Sequence, residues 1–255
     1  MKKSAIASLL LLILASPLVN AVTFEKISRN RSFYMPELSA SMEEPTYEMH
    51  SYEIDFPRNG SKALQGTILK EVFGDNINPN DSFHSVSEDF LNSFLDEESY
   101  ERPQLIGNVP NDCWVQEISA KGALKSQNAN LIVYETSSYI YFAGAAHGMY
   151  GVSYLNYYTP INKALNISDI LLISKTSLIT KAIRRNAHKV ADALYDSTDF
   201  SGIEYTETFY ISNGGITFVY QPYEIGPYAS GVIEITVPKS HLTGCLTPLG
   251  NKLIK

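Results

Sequence analysis

The chain has 255 residues, with 20 Lys plus Arg against 27 Asp plus Glu and a formal net charge of −7. That balance disfavours nucleic acid phosphates and anionic lipid heads as partners. With 44% hydrophobic and 11% aromatic residues, the composition fits a globular protein with a real core and excludes a disordered or fibrous chain.

The N-terminus opens with Lys2 and Lys3. An apolar run follows over residues 5–14, broken only by Ser8, and then come Pro17 and Val19-Asn20-Ala21. This is the three-part layout of a secretory signal peptide, with small residues where a signal peptidase reads. The run is shorter than the ~20 apolar residues that cross a bilayer. Residues 1–21 are therefore expected to be removed, leaving an exported protein, periplasmic or secreted, with no membrane span. Two lysines leave with the segment, so 20 minus 2 basic groups against 27 acidic ones gives a net charge of −9. Such a surface suits a basic partner, a cation, or plain solubility. Cys113 and Cys245 are the only cysteines. In an oxidising compartment a lone pair is expected to form a bridge. Neither belongs to a Cys-x-x-Cys or has a His beside it, so no redox or metal role is expected.

Residues 46–56 alternate in their second half like a strand, ended by Pro57, Asn59 and Gly60. Ser61 is a suitable N-cap for a helix carrying Leu64, Ile68, Leu69, Val72 and Phe73, with Gly74 as the stop. A second helix is predicted over residues 82–97, with Val86, Phe90, Leu91, Phe94 and Leu95 as its buried stripe. From residue 113 the pattern turns to strands, over 113–124, 131–135 and 139–142, read as an antiparallel meander, and after a glycine-containing interruption residues 152–158 form another strand. The longest helix is predicted over residues 174–195. Its apolar side carries Leu178, Ile179, Ala182, Ile183, Ala187, Val190, Ala191 and Leu194, and its solvated side carries Arg184, Arg185 and Lys189. A glycine hairpin over residues 209–220, a Pro- and Gly-containing loop, and a strand over 231–237 complete the chain. Strands and helices cluster rather than alternate strictly, which predicts an α+β fold of antiparallel sheets with packed helices.

The five histidines form no close pair and no metalloprotease motif, and neither a nucleophile elbow nor a phosphate-binding glycine loop is present. No metal and no cofactor is expected. His147 stands in the glycine-rich turn Gly144-Ala145-Ala146-His147-Gly148. It either contacts a ligand or ties the turn together through its ring nitrogens. Tyr220, Tyr223 and Tyr228, with Glu224 among them and Pro222 and Pro227 beside them, form either an aromatic contact platform or a rigid corner. His147, Tyr220, Tyr223, Glu224 and Tyr228 are the candidate ligand-binding residues. No catalytic residue is assigned. An excess of Tyr, 17 in the chain, fits half-exposed strands.

Two segments together resemble a known family. Tyr141-Phe142-Ala143-Gly144-Ala145-Ala146-His147-Gly148 is similar to its Gly-Ala-His stretch. The run from Phe218 to Gly231 contains Tyr223-Glu224-Ile225-Gly226-Pro227-Tyr228-Ala229-Ser230-Gly231, which resembles its Tyr-Glu-Ile-x-Pro-Tyr-x-x-Gly stretch. The family is DUF3298, the RsiV-like C-terminal domain, and its region is expected over residues 146–255. Residues 22–145 resemble the companion domain DUF4163. The two regions are expected as separate domains or packed as one unit. The resemblance implies an α+β fold in an extracytoplasmic setting. It also implies a surface able to bind lysozyme or peptidoglycan fragments, and no catalytic residue carries over. The leading expectation is an exported envelope binding protein. An enzyme acting on wall polymers through His147 and nearby carboxylates, and an accessory structural protein, are the alternatives.

Overall fold

The computed structural model describes residues 21–34, 47–74, 76–78, 80–93, 115–142 and 145–255. Six strands build the larger sheet in chain order: β1 (Phe24–Tyr34), β2 (Tyr47–Pro57), β3 (Val115–Gln127), β4 (Leu131–Phe142), β5 (Met149–Tyr158) and β6 (Lys163–Ala164). Neighbours pair antiparallel except β2 and β3, which run parallel. The expected all-antiparallel arrangement is thus modified at one pairing. Two helices, α1 (Lys62–Phe73) and α2 (Phe83–Asn92), intervene there and carry the crossover that a parallel pair requires.

Local chemistry accounts for the helix ends. Ser61 caps α1 by accepting from Leu64 N at 3.2 Å, and Ser82 caps α2 by accepting from Ser85 N at 3.0 Å. The second helix ends at Asn92; Phe94, Leu95 and the rest of its predicted span lie outside the described residues. Three further helices follow: α3 (Ile167–Ile170), α4 (Thr176–Asn186) and α5 (Pro248–Leu253). The predicted long helix is a continuous helical run over residues 173–193. Both of its ends are 3₁₀ turns, and Val190 departs from helical geometry. A second, antiparallel sheet contains β7 (Phe209–Ser212), β8 (Gly215–Tyr220) and β9 (Ile233–Pro238).

The larger sheet is covered on both faces at one end. Helices α1 and α2 close one face around Tyr52, Ile54, Leu69, Ile132, Tyr134 and Tyr157. The C-terminal helices and the smaller sheet close the other around Leu131, Val133, Tyr158, Ile179, Ile183 and Phe218. Strand β4 shows the consequence. Leu131, Ile132, Val133 and Tyr134 are all buried, and they alternate between the two cores. Asn156 joins the sheets: its amide donates to Phe209 O at 3.0 Å and accepts from Ile211 N at 2.8 Å. Pairing of β4 with β5 runs across residue 145, so the two expected domain regions share one sheet. Cys245 is buried in the C-terminal core, and Cys113, its expected bridge partner, lies outside the described residues. Among the described residues no helix is long and apolar enough to cross a membrane.

Candidate functional site

Register fixes what shares a face with the C-terminal core. Leu131, Val133, Glu135, Ser137, Tyr139 and Tyr141 of β4 lie on one side, opposite Tyr158, Asn156, Tyr154, Val152 and Tyr150 of β5. The first members of both rows are buried, but Tyr139, Tyr141 and Tyr150 emerge from under the C-terminal unit and are half-buried. His147 and the loop over residues 221–231 meet at this end.

The loop is held to the sheet edge by Gln221. Its side chain donates to Val152 O at 2.7 Å and accepts from Val152 N at 2.9 Å, pairing with β5 as a strand would. Gln221 O then accepts from Glu224 N at 3.1 Å, which closes a turn with Pro222 and Tyr223 in the middle. Tyr223 has φ 74°. Pro followed by a residue with positive φ is the type II pattern, and its third position ordinarily holds Gly. A Tyr there costs about 1–3 kcal/mol of backbone strain. Glu224 is exposed and accepts from Gln221 N at 2.7 Å, so its carboxylate braces the turn.

The strained backbone presents Tyr223 outward, with 48% of its surface exposed. His147 Nε2 is 3.1 Å from the Tyr223 hydroxyl, and Nδ1 is 2.9 Å from Gly148 O. A carbonyl oxygen only accepts, so Nδ1 carries the proton and Nε2 accepts from the phenol in the neutral ring. Tyr228 stacks on His147 with centroids 3.9 Å apart and planes at 20°, and its hydroxyl also donates to Gly148 O at 2.5 Å. Tyr223 lies 5.5 Å from Tyr228, and Tyr150 meets Tyr228 edge-on at 5.9 Å. Tyr195, 62% exposed, reaches Tyr223 O at 3.5 Å. Two glycines permit this packing. A Cβ on Gly148 would run into the Tyr139 ring, and one on Gly226 would run into Ala193 O.

Three of the predicted residues therefore meet in one place, His147, Tyr223 and Tyr228, and Glu224 braces the turn that carries Tyr223. Tyr220 does not join them. It is only 3% exposed, sits in the C-terminal core and donates to Glu204 O at 2.7 Å. Its position on β8 turns the ring inward, and burial pushes its phenol well above the usual tyrosine range. The sequence reading missed Gln221, Tyr150, Tyr139, Tyr141 and Tyr195. The alternation of Tyr139 with Tyr141, two residues apart on one strand, was the available signal for a shared face.

Beyond Tyr139 the same face opens into a cleft of about 540 Å³ lined by Ser32, Tyr47, Met49, Gln116, Glu117 and Tyr141. A second cleft of about 500 Å³, with Tyr154, Leu165, Ile167 and Phe209 in its walls, holds none of the predicted site residues. Among the described residues no three His, Cys, Asp or Glu side chains converge as metal ligands would.

Comparison with known proteins bears on the same half of the chain. Residues 156–240 match the model of the family described as "Protein of unknown function (DUF3298)". This chain therefore carries a DUF3298 domain there. No curated protein matches it. Its fold is similar to the crystal structure of a DUF3298 family member from Bacteroides fragilis, with a TM-score of 0.69 and 20% identity over 91% of this chain and 97% of that one. It is also similar to a DUF3298 family protein from Pseudomonas aeruginosa, with a TM-score of 0.60 and 18% identity over 88% of this chain and 95% of that one. The α+β architecture is thus shared along nearly the whole length of both.

Proposed function

We propose that this protein is an exported cell-envelope binding module that takes a glycan of the peptidoglycan type on His147, Tyr223 and Tyr228. The observation that carries this reading is Tyr223. A bulky side chain held at positive φ, half-exposed and packed beside Tyr228 and His147, is a strained feature that stability alone does not select. A pyranose ring offers a flat face of C–H groups and a rim of hydroxyls. The layer offers flat rings with phenol hydroxyls at their edges, which matches both. The signal-peptide layout supports export, because peptidoglycan lies outside the cytoplasmic membrane.

A binding role is favoured over catalysis by the state of His147. Both of its ring nitrogens are engaged, one by Gly148 O and the other by the Tyr223 hydroxyl. A general base needs a nitrogen directed at substrate. A second reading, a basic protein partner such as lysozyme, is favoured by the negative charge of the chain alone.

Calorimetric titration with N-acetylglucosamine oligomers, and separately with lysozyme, tests the proposal. Saturable oligomer binding that Tyr223→Ala weakens by about tenfold or more is expected. Binding of lysozyme but not of any oligomer would overturn the glycan reading in favour of the protein partner.

A further inference from the structure

We propose that the cleft formed by Ser32, Tyr47, Met49, Gln116, Glu117 and Tyr141 is a second subsite of the same surface, so that the ligand is an extended neutral glycan strand lying across β5, β4, β3 and β2 rather than a single terminal sugar. This rests on the glycan reading above and adds the length and direction of the ligand.

The pairing register places the cleft and the His147 layer on one face. Tyr150 pairs with Tyr139, which pairs with Ser119, which pairs with Ser51. One step along the strands, Tyr141 pairs with Glu117, Glu117 with Met49, and Met49 with Ser32. Paired residues point to the same side of a sheet. Strands lie ~4.8 Å apart, so β5 to β2 covers roughly 14 Å. That span exceeds one sugar ring and suits several in line.

The two ends are continuous rather than separate patches. Tyr139 joins them, since its ring underlies Gly148 in the His147 turn. Burial raises its phenol above the usual tyrosine range, and the neighbouring Glu117, Tyr228 and Tyr141 raise it further. Those neighbours come from both ends of the proposed path. At the far end Tyr34 and Tyr47 form a second exposed aromatic pair, with centroids 5.6 Å apart.

Chemistry decides the class of occupant. Flat aromatic rings alternate with hydroxyl, amide and carboxylate groups from Ser32, Gln116 and Glu117. Among the described residues Glu117 is the one ionisable carboxylate in the cleft wall, so a polyanion is disfavoured, whereas hydroxyl and acetamide donors fit it. A second copy of this chain is disfavoured by the like net charge of both partners.

The test compares the dimer and the hexamer of N-acetylglucosamine on the wild-type protein and four variants. Wild type should bind the hexamer about tenfold or more tighter than the dimer. Glu117→Gln, which keeps shape and removes charge, should lower hexamer affinity and leave the dimer unchanged. Tyr141→Ala should do the same more strongly. Because the Tyr141 hydroxyl also donates to Ala145 O at 3.2 Å, Tyr141→Phe separates the loss of ring contact from the loss of that hydrogen bond. Tyr223→Ala should weaken both lengths. Equal affinity of wild type for the two oligomers would overturn the second subsite while leaving the glycan reading intact, and so would a length gain that survives both Glu117→Gln and Tyr141→Ala. No binding of either oligomer would overturn the reading beneath it as well.

Discussion

One face of β4 lives in two environments. At its start Leu131 and Val133 are buried against the C-terminal core, while at its end Tyr139 and Tyr141 stand half-buried in the open. The strand, the sheet and the direction are the same, yet the side chains change from aliphatic to tyrosine where the cover stops. An aliphatic residue left in water forfeits about 25 cal/mol per Å² of its apolar area. Tyrosine keeps a large flat surface and satisfies its polar end with solvent or backbone. A sheet face written this way is partly packing and partly a surface prepared for contact.

The largest effect expected from separating the two environments is at Phe218, fully buried in the C-terminal core. Phe218→Ala should cost about 3–5 kcal/mol in urea unfolding. Tyr141→Ala should cost about 1 kcal/mol or less, since its ring is only half-buried. Comparable losses at both would erase the distinction. Asn156→Ala comes next. It strands Phe209 O and Ile211 N in a dry interface, and about 2–4 kcal/mol is expected by the same measurement. Tyr223→Gly relieves a positive φ while removing one ring, so stability should move by no more than about 1 kcal/mol in either direction. A larger loss would make Tyr223 a structural corner.

The smallest effects concern pH, and the sign differs for acids and phenols. Lys163 holds the Asp169 carboxyl below the usual range, with burial opposing, and hydrogen bonds from Thr198 do the same for Asp196. Folded values below unfolded ones give stability that is complete above the ordinary carboxylate range and is lost as pH falls through it. Unfolding midpoints should therefore decline below about pH 4. Burial raises the phenols of Tyr134, Tyr154 and Tyr220, and pushes Tyr205 up to about 12. Folded values above unfolded ones give stability that is complete below the ordinary phenol value and is lost as pH rises past about 10. Tyrosinate absorbance should appear for these residues together with loss of the native circular dichroism signal, not before it.

Much of the fold was legible where a residue pattern has one cause. Ser61 with Leu64 to Phe73 reads as a capped helix, and β7–β8 reads as a hairpin, because local spacing decides both. Strand β1 was not legible. Its helix-facing residues include Arg29 and Arg31, which pair with Glu88 of α2, so the apolar alternation of a buried strand is missing. The ambiguous start of β2 has a related cause: Glu48 and His50 are buried side by side and satisfy each other, so polar residues stand at core positions. Helix α5 was missed although Thr247 caps it and Pro248 starts it, a readable combination. At the site, the Tyr223–Tyr228 segment and His147 were legible as singular residues. Their meeting depends on Gln221 binding Val152 across 69 positions, and a single sequence carries no trace of that contact. Tyr220 misled because β8 is buried on both sides, so proximity in sequence to Tyr223 did not mean a shared surface.

The measurement that bears most directly on the account is paired on one variant: Tyr223→Ala, titrated with the N-acetylglucosamine hexamer and unfolded in urea. Affinity should fall about tenfold or more while the unfolding midpoint stays close to wild type. Unchanged affinity, or affinity lost only in step with unfolding, would contradict the account and leave the aromatic layer as a structural corner.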